Sequence, residues 1–461
     1  HLIRGLVGSG FMKKLLGILF LGLLLSGNAY ANEEHLDDFN QWLYQTSNHQ
    51  YLNIELSEKC KSFDKGDTNW YSNNCDEFQG TNNIKIKTYN NRSEIPEDAK
   101  PNEGTLLYYF WMYVRGNWTR NERFSDIKAS ENSYQFEFDL REDKYIKKQM
   151  QKTALLSYLL YEDGKIVIDE ISPKDKFGKV FTNKTKFHSQ SVGKSLASYI
   201  LGHAICKGYV ESIDSKINDW PLIENSLYHD QKIIDIINMR AGDKKYFSKK
   251  DNNRYTKTGR SVTNTTIKKT MENEFKNSKK SGTKHHYNNF LPHLIMNYII
   301  FKAGEDNYQK LLDEIFRNKV GIEHGIYFVE PNTSESTDRS TTSTFLAARY
   351  DYLRIAKAMM DDWQNDTCEG KYLKSLYERK IKKNKKDYRD KHEAFSNTKS
   401  YGGFFHLDPS GMKNRHIFIM DGYGGQTLTI DFDRKRIVTT LAIHRDFNWM
   451  KIAHSAIKKG E

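Results

Sequence analysis

The chain has 461 residues, 38% hydrophobic, 13% aromatic and 28% charged, with a formal net charge of +12. At roughly 100–200 residues per domain this length allows two to four domains, and 25 Phe, 28 Tyr and 7 Trp supply the bulk of a real core, which excludes wholesale disorder. No long apolar or heptad-periodic segment lies beyond the first thirty residues, so collagen-like, coiled-coil and polytopic membrane chains are excluded too.

Met12 opens the first informative segment, and residues 1–11 read as an upstream extension. Lys13 and Lys14 give a charged start, Leu15–Leu25 is an apolar run of eleven residues, and Ala29-Tyr30-Ala31 is a small-x-small end. That is the layout of a secretory signal peptide cleaved after Ala31, with a mature chain from Asn32 in the periplasm or outside the cell. The run is too short to cross ~30 Å of hydrocarbon, so stable membrane insertion is not expected. In an oxidising compartment, Cys60 and Cys75, which flank a polar loop, are expected to pair. Cys206 lies in an apolar helical stretch and reads as a buried small residue, while Cys368 sits in a polar segment that fixes no role. No zinc-type spacing occurs, and no metal or organic cofactor is implied.

Residues 32–150 form an N-terminal extension with strand-like aromatic runs at Thr105–Val114 and Tyr134–Leu140. From Ala154 to Asp169 two apolar runs flank Asp163-Gly164, a β-hairpin pattern. A helix is expected over Ser191–Lys207, with Gly208 as its stop. Residues 215–394 read as a helical domain, with helical periodicity at Gln231–Met239, Phe290–Lys302, Asn307–Phe316 and Thr344–Trp363. The densest basic run, Arg379–Lys386, has six basic residues in eight and no aromatic platform, so it reads as a solvated face rather than a nucleic-acid site. Strands return at Ser400–Leu407, Arg415–Met420, Gln426–Phe432 and Lys435–His444, and Trp449–Lys458 closes the chain as a helix. The expected architecture is α/β (α+β): an antiparallel sheet flanked by helices, built from 151–214 and 395–461, with the helical domain inserted at 215–394.

Three motifs carry chemistry. A serine with a lysine three residues on in a helix can have its hydroxyl deprotonated by the neighbouring amine. Seven Ser-x-x-Lys matches occur, but only Ser191-Val192-Gly193-Lys194 opens a long apolar helix after a strand hairpin. Of five Tyr-x-Asn triplets, only Tyr287-Asn288-Asn289 follows Ser191, and it directly precedes an apolar helix. A tyrosine there can pass a proton between nucleophile and leaving group, and the Asn289 amide can hold substrate. His285 and His286 beside it read as exposed or as supporting residues. Asp421-Gly422-Tyr423-Gly424-Gly425-Gln426 enters a strand, where glycines permit close approach to a ligand.

Taken together and in this order, the three motifs resemble those of the penicillin-recognising serine hydrolases: class C β-lactamases, DD-peptidases and their esterase and 6-aminohexanoate-dimer hydrolase relatives. Tyr287 follows Ser191 by 96 residues and Tyr423 follows Tyr287 by 136, which suits that layout. Ile234–Gly242 and the helix with Ala348, Asp351 and Arg354 are similar to further segments of the family, and the likeness covers residues 150–455. It implies a β-lactamase/transpeptidase-like fold and an acyl-enzyme at Ser191, with Lys194 and Tyr287 managing the proton. It also implies Asn289, Tyr423, Gly424, Gly425 and Gln426 as substrate-binding residues, with the N–H groups of Ser191 and Gln426 as oxyanion donors. Tyr423-Gly424-Gly425 stands where the family has Lys-Thr-Gly. Tyrosine lacks the ammonium that binds a substrate carboxylate, which turns the reading from a β-lactamase or DD-peptidase toward an esterase or amidase. The expected partner is a small-molecule or peptide-like ester or amide. Nucleic acid is not expected, and the sequence carries no mark of an oligomeric state. Two other readings are a catalytically silent relative that binds an envelope peptide or ligand, and a basic envelope-surface interaction protein.

Overall fold

The central sheet is assembled from two stretches of chain far apart in sequence. The computed structural model describes residues 95–102, 105–106, 109–110, 123–178, 181–249, 254–331, 340–383, 397–412 and 414–459, with residue 89 and short pieces of backbone at 54–55, 77–80 and 85–87. The segment read as a signal peptide, Cys60 and Cys75 lie outside the described residues.

Strands β1 (Arg123–Ile127) and β2 (Glu137–Phe138) and helix α1 (Lys144–Lys152) precede a hairpin of β3 (Leu155–Glu162) and β4 (Lys165–Ile171). Its turn has Asp163 at φ 47° and Gly164 at φ 91°, the double left-handed geometry that an Asp-Gly pair tolerates. β5 (Phe187–His188) leads into α2 (Val192–Cys206). Helices α3 (Ile233–Ile237), α4 (Phe290–Ala303) and α5 (Glu305–Asp313) follow, then strands β6 (Ile326–Glu330) and β7 (Phe345–Ala347). After α6 (Arg349–Gln364) and α7 (Cys368–Glu378) come β8 (Ile381–Lys382), β9 (Thr398–Gly402), β10 (Phe405–Pro409), β11 (Ile417–Gly422), β12 (Gln426–Asp431), β13 (Arg436–Ala442) and a closing α8 (Ser455–Lys458).

The nine-stranded sheet runs β8-β9-β10-β11-β12-β13-β3-β4-β2, antiparallel except for the parallel β4–β2 pair. Its two sequence halves join where β13 pairs with β3, in register from Arg436↔Glu162 to Leu441↔Ser157. β3 is buried along its whole length. Leu156, Leu159 and Tyr161 face a large core shared with Leu196 and Ile200 of α2 and Leu353 and Ile355 of α6. Leu155, Tyr158 and Leu160 face a second core with Ile146 and Met150 of α1 and Trp449, Ile452 and Ile457 near the C-terminus. A buried guanidinium fastens α6 to the sheet: Arg349 donates to Ser157 Oγ at 2.7 Å and pairs with Asp169 at 2.6 Å.

The structure corrects four expectations. The block read as all-helical carries β6 and β7, which join β1 and β5 in a four-stranded antiparallel sheet. Their short runs, rich in aromatic and β-branched residues, fit a pleated and half-buried surface. Within Thr105–Val114, the described residues Thr105–Leu106 and Tyr109–Phe110 are helical. The Phe110 ring packs there against Phe177, Phe181 and Phe187, so the aromatics serve burial rather than strand alternation. Cys206 is bonded to Cys368, with Cα atoms 5.8 Å apart, because α7 begins beside the end of α2. Nor is the run from Arg379 a solvated face throughout. Arg379 pairs with Asp214 at 2.7 Å, Lys380 with Asp408 at 2.9 Å, and Lys383 is buried beside His406.

Candidate active site

The site starts at a bend. Ser189 is tied to β7 in both directions, its N–H to Phe345 O at 2.8 Å and its Oγ accepting from Phe345 N at 3.0 Å. Gln190 follows in the left-handed region, at φ 49°, an uncommon conformation for a residue with a side chain. Its N–H donates to His188 Nδ1 at 3.0 Å. His188 therefore accepts on Nδ1, and burial, aided by the charge of Arg254, pushes its pKa down to about 3. The chain then enters the first turn of α2, with Val192 N bonded to Ser189 O at 3.1 Å, Gly193 N to Gln190 O at 3.2 Å and Lys194 N to Ser191 O at 3.1 Å. Among the described residues, the Ser191 N–H has no such acceptor and sits at the positive end of the helix.

Gly193 is required by space. A Cβ there would collide with the Ser343 carbonyl. This contact seats the first turn against the 340–344 loop. Farther along the helix, Ser195 Oγ donates to Phe404 O at 2.6 Å and locks α2 to the β9–β10 turn.

Lys194 is 5% exposed, and its Nζ donates to Ser191 Oγ at 2.7 Å. The same Nζ lies 4.8 Å from the centre of the Tyr287 ring. Tyr287 is half-buried, with its ring 6.2 Å from that of Tyr401 and 6.3 Å from that of His406. Ser191, Lys194 and Tyr287, expected to act together, are thus brought into one constellation.

The loop that presents Tyr287 is held by a residue that sequence reading missed. Asp243, 1% exposed, accepts from Asn288 Nδ2 at 3.1 Å and Tyr228 Oη at 3.1 Å and meets His286 Nδ1 at 3.3 Å. Asn288 also caps α4, its Oδ1 accepting from Phe290 N at 3.0 Å and Leu291 N at 3.1 Å. The capping task falls to the first Asn of the motif. Asn289 is half-buried, and among the described residues its side chain has no hydrogen bond. The reading of His285 and His286 as exposed is corrected, since they are 3% and 2% exposed. Burial, with the nearby Lys383 and His286, pushes His285 down to about 3. His406 is likewise driven well below the ordinary range, first by burial and then by the nearby Lys383, His285, Lys194 and Arg445. Neutral imidazoles therefore line this side of the site.

The third motif closes the opposite side. A Cβ on Gly422 would lie 2.8 Å from Ser189 O and 3.1 Å from Gln190 Cβ, so the end of β11 abuts the bend before Ser191. β10 pairs with β11 only at Ile419 and Phe418, so the last residues of β11 lie beyond the end of that pairing. Gly422 O accepts from Gly425 N at 3.2 Å and from Arg445 Nη2 at 3.1 Å, and Arg445 also pairs with Asp421 at 2.7 Å. Gly424 and Gly425 turn the chain at φ 85° and 111°. Gln426 lies opposite Gly422 in the β11–β12 pair, and its side-chain amide donates to Ala442 O at 3.2 Å. The Tyr423 hydroxyl donates to Ile95 O at 2.8 Å.

Asp351 and Arg354 have a structural task. Asp351 accepts from Glu323 N at 2.8 Å and His324 N at 3.1 Å, and Arg354 pairs with Asp351 at 2.9 Å and Glu323 at 2.7 Å. They fix the turn that leads into β6.

No protein-family model matches the sequence, and no curated protein matches it by sequence. Solved structures do match. One, assigned as a 6-aminohexanoate-dimer hydrolase from Bacillus anthracis, is 13% identical with a TM-score of 0.55, over 80% of this chain and 95% of that one. Another, assigned as a β-lactamase from Bacteroides dorei, is 13% identical with a TM-score of 0.50, over 69% of this chain and 97% of that one. The D-amino acid amidase of Ochrobactrum anthropi is 14% identical with a TM-score of 0.46, over 68% of this chain and 93% of that one. The first two likenesses show that the chain has the β-lactamase-like fold, with an antiparallel-rich sheet flanked by helices.

Proposed function

We propose that the protein is an exported serine hydrolase that cleaves an ester or amide through an acyl-enzyme on Ser191. The observation that carries this reading is the 2.7 Å contact between Lys194 Nζ and Ser191 Oγ at the start of a buried helix, with Tyr287 beside the same nitrogen. With Lys194 as the free amine, Ser191 Oγ attacks the carbonyl carbon and its proton passes to Nζ. The carbonyl π electrons move to oxygen. When the tetrahedral adduct collapses, the leaving oxygen or nitrogen takes a proton from Lys194 or Tyr287. Water then attacks the acyl carbon, gives up a proton by the same route, and Ser191 Oγ leaves and is reprotonated.

The oxyanion needs two donors. The Ser191 N–H is one. In an antiparallel strand the N–H and C=O of a residue point to the same neighbour, and successive residues alternate. Gly422 directs its carbonyl into the β11–β12 hairpin, so the Tyr423 N–H points the other way, toward the side that β10 has left. We therefore assign the second donor to Tyr423 N–H, in preference to the Gln426 N–H expected from the motif. Asn289 is the amide left over for substrate once Asn288 caps the helix. With a tyrosine hydroxyl already bonded to Ile95 in place of an ammonium, the site favours substrates without a carboxylate at that position. The Cys206–Cys368 bond supports export, since such pairs persist in oxidising compartments. No helix among the described residues is long and apolar enough to cross a membrane.

The test is covalent. Protein from Asn32 onward, treated with a fluorophosphonate and digested, is expected to carry the mass increment on the Ser191 peptide and to lose it in Ser191→Ala. A folded protein that stays unlabelled overturns the hydrolase reading and leaves ligand binding as the function of the cleft.

A further inference from the structure

The turn that follows β11 is gripped from two sides. On the inner side, Arg445 Nη2 holds Gly422 O at 3.1 Å and Asp421 Oδ1 at 2.7 Å. Beyond Gly422 the chain passes through Gly424 and Gly425, both at positive φ, which impose little stiffness of their own. On the outer side, the Tyr423 ring reaches to the N-terminal segment, where its hydroxyl donates to Ile95 O at 2.8 Å. The same segment is fastened again at its other end. His444, just past β13, meets Ala99 O through Nε2 at 3.1 Å. Burial, the largest influence, holds the His444 pKa below its ordinary value, so the neutral ring donates from Nε2. Between these anchors Ile95 is 1% exposed within the main core and Ala99 N closes a turn on Pro96 O at 2.9 Å. Phe110, farther along, is sunk among Phe177, Phe181 and Phe187.

We infer that residues 95–99 are a strap belonging to the active site, and that the Tyr423 side chain is a positioning residue whose bond to Ile95 fixes the peptide that presents the second oxyanion donor. The inference rests on the proposed hydrolase reading. It gives the N-terminal extension, which carries no motif, a role in the reaction. Removing an oxyanion donor outright costs about 10²–10³ in turnover, and loosening one costs part of that.

The experiment compares Tyr423→Phe with the wild type, measuring p-nitrophenyl acetate hydrolysis, the rate of fluorophosphonate labelling and thermal melting. The strap requires kcat and the labelling rate to fall together by about 10-fold, with KM within about twofold and Tm nearly unchanged, since only one hydroxyl is removed. His444→Leu should give a smaller loss in the same two rates. His444→Gln, which keeps an N–H for Ala99, should restore them. Equal rates in Tyr423→Phe, or a lowered Tm with equal rates, overturn the strap and leave an ordinary packing contact. A loss in His444→Leu that His444→Gln does not restore also counts against it. A folded wild type that neither labels nor turns over fails at the hydrolase reading itself, whereas an active wild type with an indifferent Tyr423→Phe fails at the strap alone.

Discussion

Two adjacent asparagines divide structure from function at the site. Asn288 caps α4 and feeds the buried Asp243 carboxylate, while the Asn289 side chain is bonded to nothing among the described residues. Asn288→Ala is expected to lower stability by about 2–3 kcal/mol, combining a lost cap with a carboxylate short of one donor. Chemical denaturation measures this. Asn289→Ala should leave the denaturation midpoint unchanged and lower kcat/KM instead. At Lys194, substitution by Met keeps the stem and removes the amine, so labelling of Ser191 should slow by roughly 10³-fold in a protein that still folds. Labelling at the wild-type rate would assign the base elsewhere. The sequence displayed Ser191, Lys194 and Tyr287 because each begins or precedes a periodic apolar helix. Asp243 stayed hidden, since one acidic residue in a polar loop announces nothing until the fold brings Tyr228, His286 and Asn288 around it.

At the scale of elements, α2 is held at both ends. Its first turn is seated on the Ser343 carbonyl and the end of β11, and its last residue is bonded to Cys368. The bond closes a loop of 162 residues, which by chain entropy contributes about 5 kcal/mol. Reduction is expected to lower Tm by about 6 °C without changing the labelling rate of protein that remains folded, because the bond lies at the far end of the helix from Ser191. A labelling rate that falls with reduction at temperatures well below the transition would contradict this separation. The hairpin at Asp163-Gly164 and helices α2, α4 and α6 were legible from turn chemistry and from period. β6 and β7 were not, being short runs between helices whose partners, β1 and β5, lie far off in sequence. The β11–β12 turn was legible as a motif but not in its register. Which residue faces the bend before Ser191 is decided by strand pairing, and pairing brings Gly422, not Gly424 or Gly425, against Ser189.

Over the whole molecule, buried histidines set the acid limit. Burial is the leading cause that holds His188 and His285 at about 3 and His293 and His454 at about 4. The unfolded chain protonates the same rings near pH 6.5. Stability is therefore complete above about pH 6.5 and is lost as pH falls toward the folded values, at about 1.4 kcal/mol per pH unit for each ring. Glu369 acts in the same direction but only below about pH 4.5, since its bond to His203 and its pairing with Lys319 hold its carboxyl far below the ordinary range against the opposing effect of burial. Melting followed from pH 7.5 to 5.5 should show Tm falling by about 6 °C, and a flat profile would mean that these rings take up protons within the fold.

The join between β13 and β3 has a consequence for the order in which a chain of this kind comes into being. Residues 155–171 are made early, yet their neighbour in the sheet arrives only with residues 436–442, after more than half of the chain has followed. Pairing over so long an interval is slow. A chain that emerges from its N-terminus must keep the β3–β4 hairpin waiting, with its apolar residues uncovered. Ser191 waits with it, because the end of β11 reaches the Ser189–Gln190 bend only at Gly422. On the proposed hydrolase reading, the site around Ser191 is therefore completed only when the last strands arrive.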